Sequence, residues 1–162
     1  MARGTGVGRF ARLWRLPARQ RRVVGEALVA LPLVRVGLAV IGVNRTYRLL
    51  AWASPVREMR SSGAGGAEMV SAALAIARLV RAAAIYGRSG ATCLPRALVT
   101  WAILRREGIT SDVRLGARMC AGHFEAHAWI ETAGQEIDLD ADADLDPFVP
   151  FDAMELAAGL RH

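Results

Sequence analysis

A cysteine that could act as a nucleophile occurs at residue 93. Pro95 follows it, and a proline suits the first residues of a helix because its missing N–H would have no helical partner there. The sequence therefore predicts Cys93 at a helix N-terminus, where the helix dipole and free backbone N–H groups favour a thiolate and can bind an oxyanion. The alternative for Cys93 is a small buried thiol without a catalytic role.

A histidine that could act as a general base occurs at residue 127, within the stretch FEAHAWIE at residues 124–131. The stretch alternates like a β-strand, so His127 shares one face with Trp129 and Glu131. Imidazole titrates near neutral pH and can accept the proton of a thiol. A core histidine with satisfied hydrogen bonds would produce the same pattern.

An acidic run, DLDADADLD at residues 138–146, supplies candidate carboxylates. It does not predict a calcium loop, because the glycine and the closing glutamate of such a loop are absent. If residues 133–134 form a two-residue turn, Asp140 lies opposite His127 and Asp138 lies diagonal to it on the same face. A carboxylate there would hold the imidazole in the proton-accepting tautomer. A longer turn would shift this register, so the choice between the two aspartates stays open.

Zinc is an alternative use of Cys120, His123 and His127, whose spacings of three and four residues superficially suit a metal. The sequence offers no obvious fourth ligand. Histidines four residues apart share a face on a helix and not along this predicted strand. The sequence therefore predicts neither a metal nor any other cofactor.

The elements that must position these residues are helices first and strands afterwards. Apolar residues at helical spacing predict helices at residues 23–31, from 33 towards 52, at 67–87 and at 93–107. Alternating stretches predict strands at residues 109–118, 126–132 and 135–140. This order is typical of an α+β fold with a small antiparallel sheet.

The N-terminal region is basic and apolar. Residues 1–60 hold 12 arginines and two acids, a net charge of +10, whereas the remainder carries −4. Residues 27–44 are nearly apolar, but Pro32 and Arg35 interrupt them, and an arginine in mid-membrane costs about 2.5–3.5 kcal/mol or more. The sequence predicts two short buried helices that meet near Pro32, with association at a membrane surface as the weaker alternative.

The chain length of 162 residues suits one compact unit. We expect a helical region at residues 1–60 and a core at residues 67–162, joined by the loop SSGAGG at 61–66. Two cysteines make no disulfide framework, and residues 1–22 lack the apolar stretch and cleavage site of a signal peptide, so we expect a cytoplasmic protein. No aromatic-interleaved basic motif accompanies the charge, and a nucleic-acid partner is not predicted.

Three stretches together resemble the transglutaminase-like proteases of lasso-peptide biosynthesis. They are CLPRAL at residues 93–98, LRREGI at 104–109 and FEAHAWIE at 124–131. They occur in order and at plausible spacing within about residues 67–150. The resemblance implies a papain/transglutaminase-like core, in which the catalytic cysteine begins a helix packed on a small antiparallel sheet.

The resemblance also implies a Cys–His–Asp triad in a leader peptidase. Cys93 would be the nucleophile and His127 the general base. The acid of this family lies about twelve residues after the histidine, where this sequence has Leu139 between two aspartates, and Asp138 is favoured slightly over Asp140. A chain this short resembles the split form of the protease, in which a small leader-binding protein delivers the precursor peptide and a separate cyclase closes the ring.

Two other functions are consistent with the same residues. The chain could be a non-catalytic module that binds a peptide or a partner through its basic N-terminal helices. It could also be an acyltransferase, because hydrolysis and transfer to an amine pass through the same thioester.

Overall fold

The computed structural model describes residues 16–56, 65–87, 89–120, 122–137 and 148–151. In chain order the described elements are three helices and four strands: α1 (Ala18–Ala53), α2 (Gly66–Tyr86), α3 (Cys93–Arg106), β1 (Asp112–Cys120), β2 (His123–Thr132), β3 (Gln135–Ile137) and β4 (Val149–Pro150). The predicted α+β fold, with helices followed by a small antiparallel sheet, is confirmed. Residues 61–64 of the predicted loop lie outside the described residues.

The four strands form one antiparallel sheet in the order β3-β2-β1-β4. Thr132 pairs with Gln135 across a two-residue turn, in which Ala133 and Gly134 both have positive φ angles of 51° and 73°. Such a turn matches the twist of a hairpin, and of the two turn lengths that the sequence left open the structure has the two-residue one. The sequence did not predict β4, because two residues are too short for an alternating pattern.

The two faces of the sheet have different neighbours. On one face, Val113, Leu115, Ala128 and Ile130 pack into the core formed with the helices. The other face carries charged pairs between β1 and β2, namely Arg114–Glu131 at 2.9 Å and Arg118–Glu125 at 2.8 Å. Because directly paired residues project to the same face, this register decides which side chains face the helices.

One hydrophobic core joins the helices to the sheet. Its most buried large side chains come from every helix and from β2: Leu31, Val80, Leu98, Val99, Ile103, Leu104 and Ile130. α3 lies between the helical pair and the sheet, so most of its side chains are buried. This central position holds the N-terminus of α3 in place.

Substitution of Leu98 tests the central role of α3. Leu98 is fully buried, and Leu98→Ala is expected to lower the free energy of unfolding by about 2–5 kcal/mol, since it removes apolar contacts and leaves a cavity. Leu33→Ala is the matched control: Leu33 is exposed on α1, and its change should stay within about 0.5 kcal/mol. Urea unfolding of both variants measures the difference, and equal losses would contradict the central position of α3.

The prediction for the N-terminal helices is wrong in two respects. α1 continues through Pro32 and breaks at Gly42, whose φ of 80° and ψ of 175° are not helical. Pro32 is exposed, so the carbonyl that loses its partner there can hydrogen-bond to water. Glycine tolerates the positive φ that a side chain would strain. The helix is also not buried all round, because Val29 and Val40 are among the exposed apolar side chains on it.

Candidate active site

Cys93 is the first residue of α3, as the sequence predicted. The preceding residue, Thr92, is extended and makes no side-chain hydrogen bond that would cap the helix. Backbone N–H groups in the first turn of a helix have no partners within the helix. The Cys93 sulfur therefore lies beside backbone donors that a substrate oxyanion could use.

The loop before Cys93 is held by α1. Arg35 donates a hydrogen bond from Nη1 to the Ser89 carbonyl, and the Ser89 hydroxyl accepts one from the Ala91 N–H at 3.3 Å. Gly90 has a φ of +56°, and a Cβ there would lie 2.9 Å from Arg35 Nη1. A guanidinium and a glycine thus determine the path of the chain into α3. The sequence showed Arg35 only as an interruption of an apolar helix.

Gly90→Ala is expected to lower the free energy of unfolding by about 1–2 kcal/mol, because an alanine is strained at positive φ and meets Arg35. Gly25→Ala should have the opposite sign, with a gain of about 0.5–1 kcal/mol, since Gly25 lies inside α1 with open space around it. Thermal and urea unfolding measure both changes. A Gly90→Ala variant as stable as the wild type would contradict the tight loop.

A small cavity lies between the first turns of α3 and the sheet. Water molecules can occupy a volume of about 40 Å³ in this cavity. Its lining includes Cys93, Arg96, Thr100, Ala128 and Ile130. This is room for one or a few water molecules and not for a peptide. A substrate carbonyl would therefore reach Cys93 from the outer end of the cavity.

His127 lies on β2 in an aromatic cluster. Its ring stacks on Phe148 with 4.8 Å between centroids and lies 6.2 Å from the ring of Trp129. The Arg118 guanidinium lies 4.2 Å from the centroid of Phe148. Sequence reasoning missed Phe148, because this contact joins residues far apart in the chain and no local pattern indicates it. Trp129 Nε1 is buried and donates no hydrogen bond to any residue that the structure describes.

Cys93 and His127 lie on two elements that pack against each other, α3 and β2. Ala128 and Ile130 project from β2 towards the helices. Because side chains alternate along a strand, His127 projects from the opposite face of β2. The pairing of nucleophile and base therefore stays a prediction.

The candidate third members, Asp138 and Asp140, lie outside the described residues, as does the rest of the acidic run. The described part of the hairpin ends at Ile137, which pairs with Ile130. Its register is the one that the two-residue turn requires. The choice between the two aspartates stays open.

Comparison with known proteins decides the family. A family model described as the transglutaminase-like superfamily matches residues 37–151, which is well over half of the chain. The chain belongs to the transglutaminase-like superfamily. The matched region begins within α1 and contains α2, α3 and all four strands. No curated protein and no solved structure matches the chain significantly.

The transglutaminase-like superfamily includes cysteine peptidases and acyltransferases. In this member, the alternative zinc ligands are dispersed along the β1–β2 hairpin: Cys120 pairs with His123, and His127 lies four residues further along β2. No group of three histidine, cysteine or acidic side chains in the described ranges could hold a metal ion. The chemistry that this member's described site offers is that of a thiol beside backbone N–H donors.

Proposed function

We propose that this transglutaminase-like chain is a cysteine peptidase that removes the leader from a lasso-peptide precursor. The observation that carries the proposal is the position of Cys93 at the uncapped N-terminus of the central helix α3, inside the region that matches the family. The three stretches at residues 93–98, 104–109 and 124–131 supply the resemblance to leader peptidases. The proposed partners are the precursor peptide, a small leader-binding protein and the cyclase that follows.

The mechanism proceeds through a thioester. The Cys93 thiolate attacks the carbonyl carbon at the leader–core junction, and N–H groups in the first turn of α3 stabilise the oxyanion. His127 protonates the amine of the core peptide as the C–N bond breaks. His127 then takes a proton from water, which attacks the thioester and releases the leader carboxylate and the Cys93 thiolate. Asp138 or Asp140 would orient the imidazole.

Proton transfer needs the imidazole of His127 within about 3 Å of the Cys93 sulfur or one water away. Catalytic hydrogen bonds of this kind are often long or poorly aligned before the substrate binds. We propose that binding of the precursor, or of its leader-binding partner, completes the contact between His127 and the thiol.

A second candidate function is a non-catalytic binding module. The observation that favours it is the same separation of His127 from the face of the sheet that packs against α3. Such a module would retain the fold and bind the leader without cleaving it.

Cleavage of a precursor peptide by the full chain tests the proposal. The precursor is incubated with the chain and the leader-binding protein in water enriched in heavy oxygen, and the products are analysed by mass spectrometry. A peptidase yields a free core and a leader whose new carboxylate carries one heavy oxygen. A leader amide formed with an added amine would instead identify an acyltransferase. Binding without any cleavage would identify the non-catalytic module.

Alkylation by iodoacetamide provides an independent test at the thiol. Cys93 and Cys120 are both partly buried. A difference between their alkylation rates therefore reports the chemical environment of each thiol more than its accessibility to the reagent. We expect Cys93 to react faster at neutral pH, because it lies at the N-terminus of α3 beside backbone N–H donors, whereas Cys120 ends a strand. Equal rates in the Cys93→Ser and Cys120→Ser variants would contradict an activated nucleophile.

A further inference from the structure

α1 has an apolar stripe on the side that faces away from the core. The stripe comprises Val29, Leu33, Val36 and Val40, whose spacing of three or four residues places them on one helix face. These four side chains are between 59% and 74% exposed. Contiguous apolar surface of this kind on a folded chain marks an interaction site.

Exposed arginines precede and follow the stripe in the chain. Arg21 and Arg22 precede it, and Arg22 pairs with Glu26 at 2.8 Å. Arg45 and Arg48 follow it beyond the break at Gly42, where the chain bends enough to place Thr46 beside Gly37. Arg35 lies beside the stripe and donates to the loop at Ser89. Residues 1–15, ahead of α1, add four arginines and no acid. An apolar face in a basic part of the chain is complementary to a surface with apolar chains under anionic headgroups.

The packing of α1 excludes complete insertion into a bilayer while this fold is kept. α1 and α2 are long and apolar enough to cross a membrane by length and composition alone. The face of α1 opposite the stripe, however, is buried against the other helices through Val23, Ala27, Leu31 and Val34. Lipid can therefore reach only one side of α1, which suits a helix that lies in the plane of the interface.

We propose that the chain binds the surface of anionic membranes through the stripe of α1. The part of α1 before Gly42 lies parallel to the bilayer, with the stripe in the upper acyl region and the side chains of neighbouring exposed arginines at the phosphates. This inference concerns location and does not depend on the proposed peptidase activity.

Co-sedimentation of the full chain with lipid vesicles tests the proposal. Vesicles of phosphatidylcholine alone are compared with vesicles that also contain phosphatidylglycerol. We expect binding to the anionic vesicles, at least about tenfold weaker binding to the neutral ones, and a decrease with added salt. Absence of binding to the anionic vesicles would overturn the proposal.

Variants locate the contact. Leu33→Gln/Val36→Gln is expected to weaken binding to anionic vesicles about tenfold or more, because it removes two apolar side chains from the stripe. Met119→Gln/Phe124→Gln is the matched control, since these paired residues of the sheet are 62% and 66% exposed, and binding should change less than about twofold. Arg45→Gln/Arg48→Gln should reduce the preference for anionic vesicles.

The outcomes of these variants separate lipid from other occupants. Thermal unfolding checks that each variant folds, and Val29→Gln/Val40→Gln replaces the first stripe variant if that one does not. Equal binding by the stripe variant and the wild type would overturn the proposal. A wild-type dimer in sedimentation velocity that the stripe variant loses, without vesicle binding by either, would overturn it and identify a second copy as the occupant.

Discussion

Replacement of Cys93 by alanine is expected to lower the rate of leader removal by about four to six orders of magnitude. The Cys93 sulfur forms the thioester. The cavity lining at α3 also contains the hydroxyl of Thr100, but that hydroxyl is unactivated and cannot replace the thiol as a nucleophile. The rate is measured by mass spectrometry of the precursor under single-turnover conditions. The fold should persist, because alanine suits a helix and Cys93 is only partly buried.

Cys120→Ala is the matched control for this prediction. Cys120 has the same intermediate exposure but ends the strand β1, where no helix N-terminus supplies donors. Its replacement should leave the rate within about twofold of the wild type. A folded Cys93→Ala variant that cleaves at the wild-type rate would show that Cys93 is not the nucleophile and would contradict the proposed function.

Replacement of His127 by glutamine is expected to lower kcat/KM for leader removal by about two to four orders of magnitude. Glutamine is near the size of histidine and can hydrogen-bond, but it cannot take a proton from the thiol or deliver one to the departing amine. The pH profile is the sharper measurement. The limb of the profile that reports the general base should disappear in the variant, whatever its effect on stability.

His123→Gln is the control for His127→Gln, because His123 lies four residues earlier on the same face of β2 and is exposed. It should retain the wild-type profile. A wild-type rate and profile in His127→Gln would show that the general base is a different group.

The positions that local chemistry controls could be predicted from the sequence. Pro95 indicates a helix start because its ring fixes φ and lacks a donor, and α3 does begin at Cys93. Alternation at residues 124–131 indicates a strand, and residues 133–134 form the tight turn that the sequence predicted there. Each of these signals depends on neighbours in the chain, so it needs no knowledge of the fold.

Contacts between distant residues could not be predicted. The hydrogen bond from Arg35 to Ser89 and the stacking of His127 on Phe148 depend on how α1 and β4 approach the core. The break in α1 lies at Gly42 and not at Pro32, since an exposed proline can leave its orphaned carbonyl to water. Apolar composition also predicted burial for α1, yet only one side of it meets the other helices.

The sequence by itself determined the family, the α+β order of the elements and the placement of Cys93 at a helix N-terminus, because motif, periodicity and capping are properties of short segments. Only the tertiary structure decided which face of β2 meets α3 and which face of α1 stays exposed. Alternation along a strand assigns its side chains to two faces, but it does not show which of these faces packs against the helices. That choice comes from burial of the largest apolar area, which depends on all the elements together.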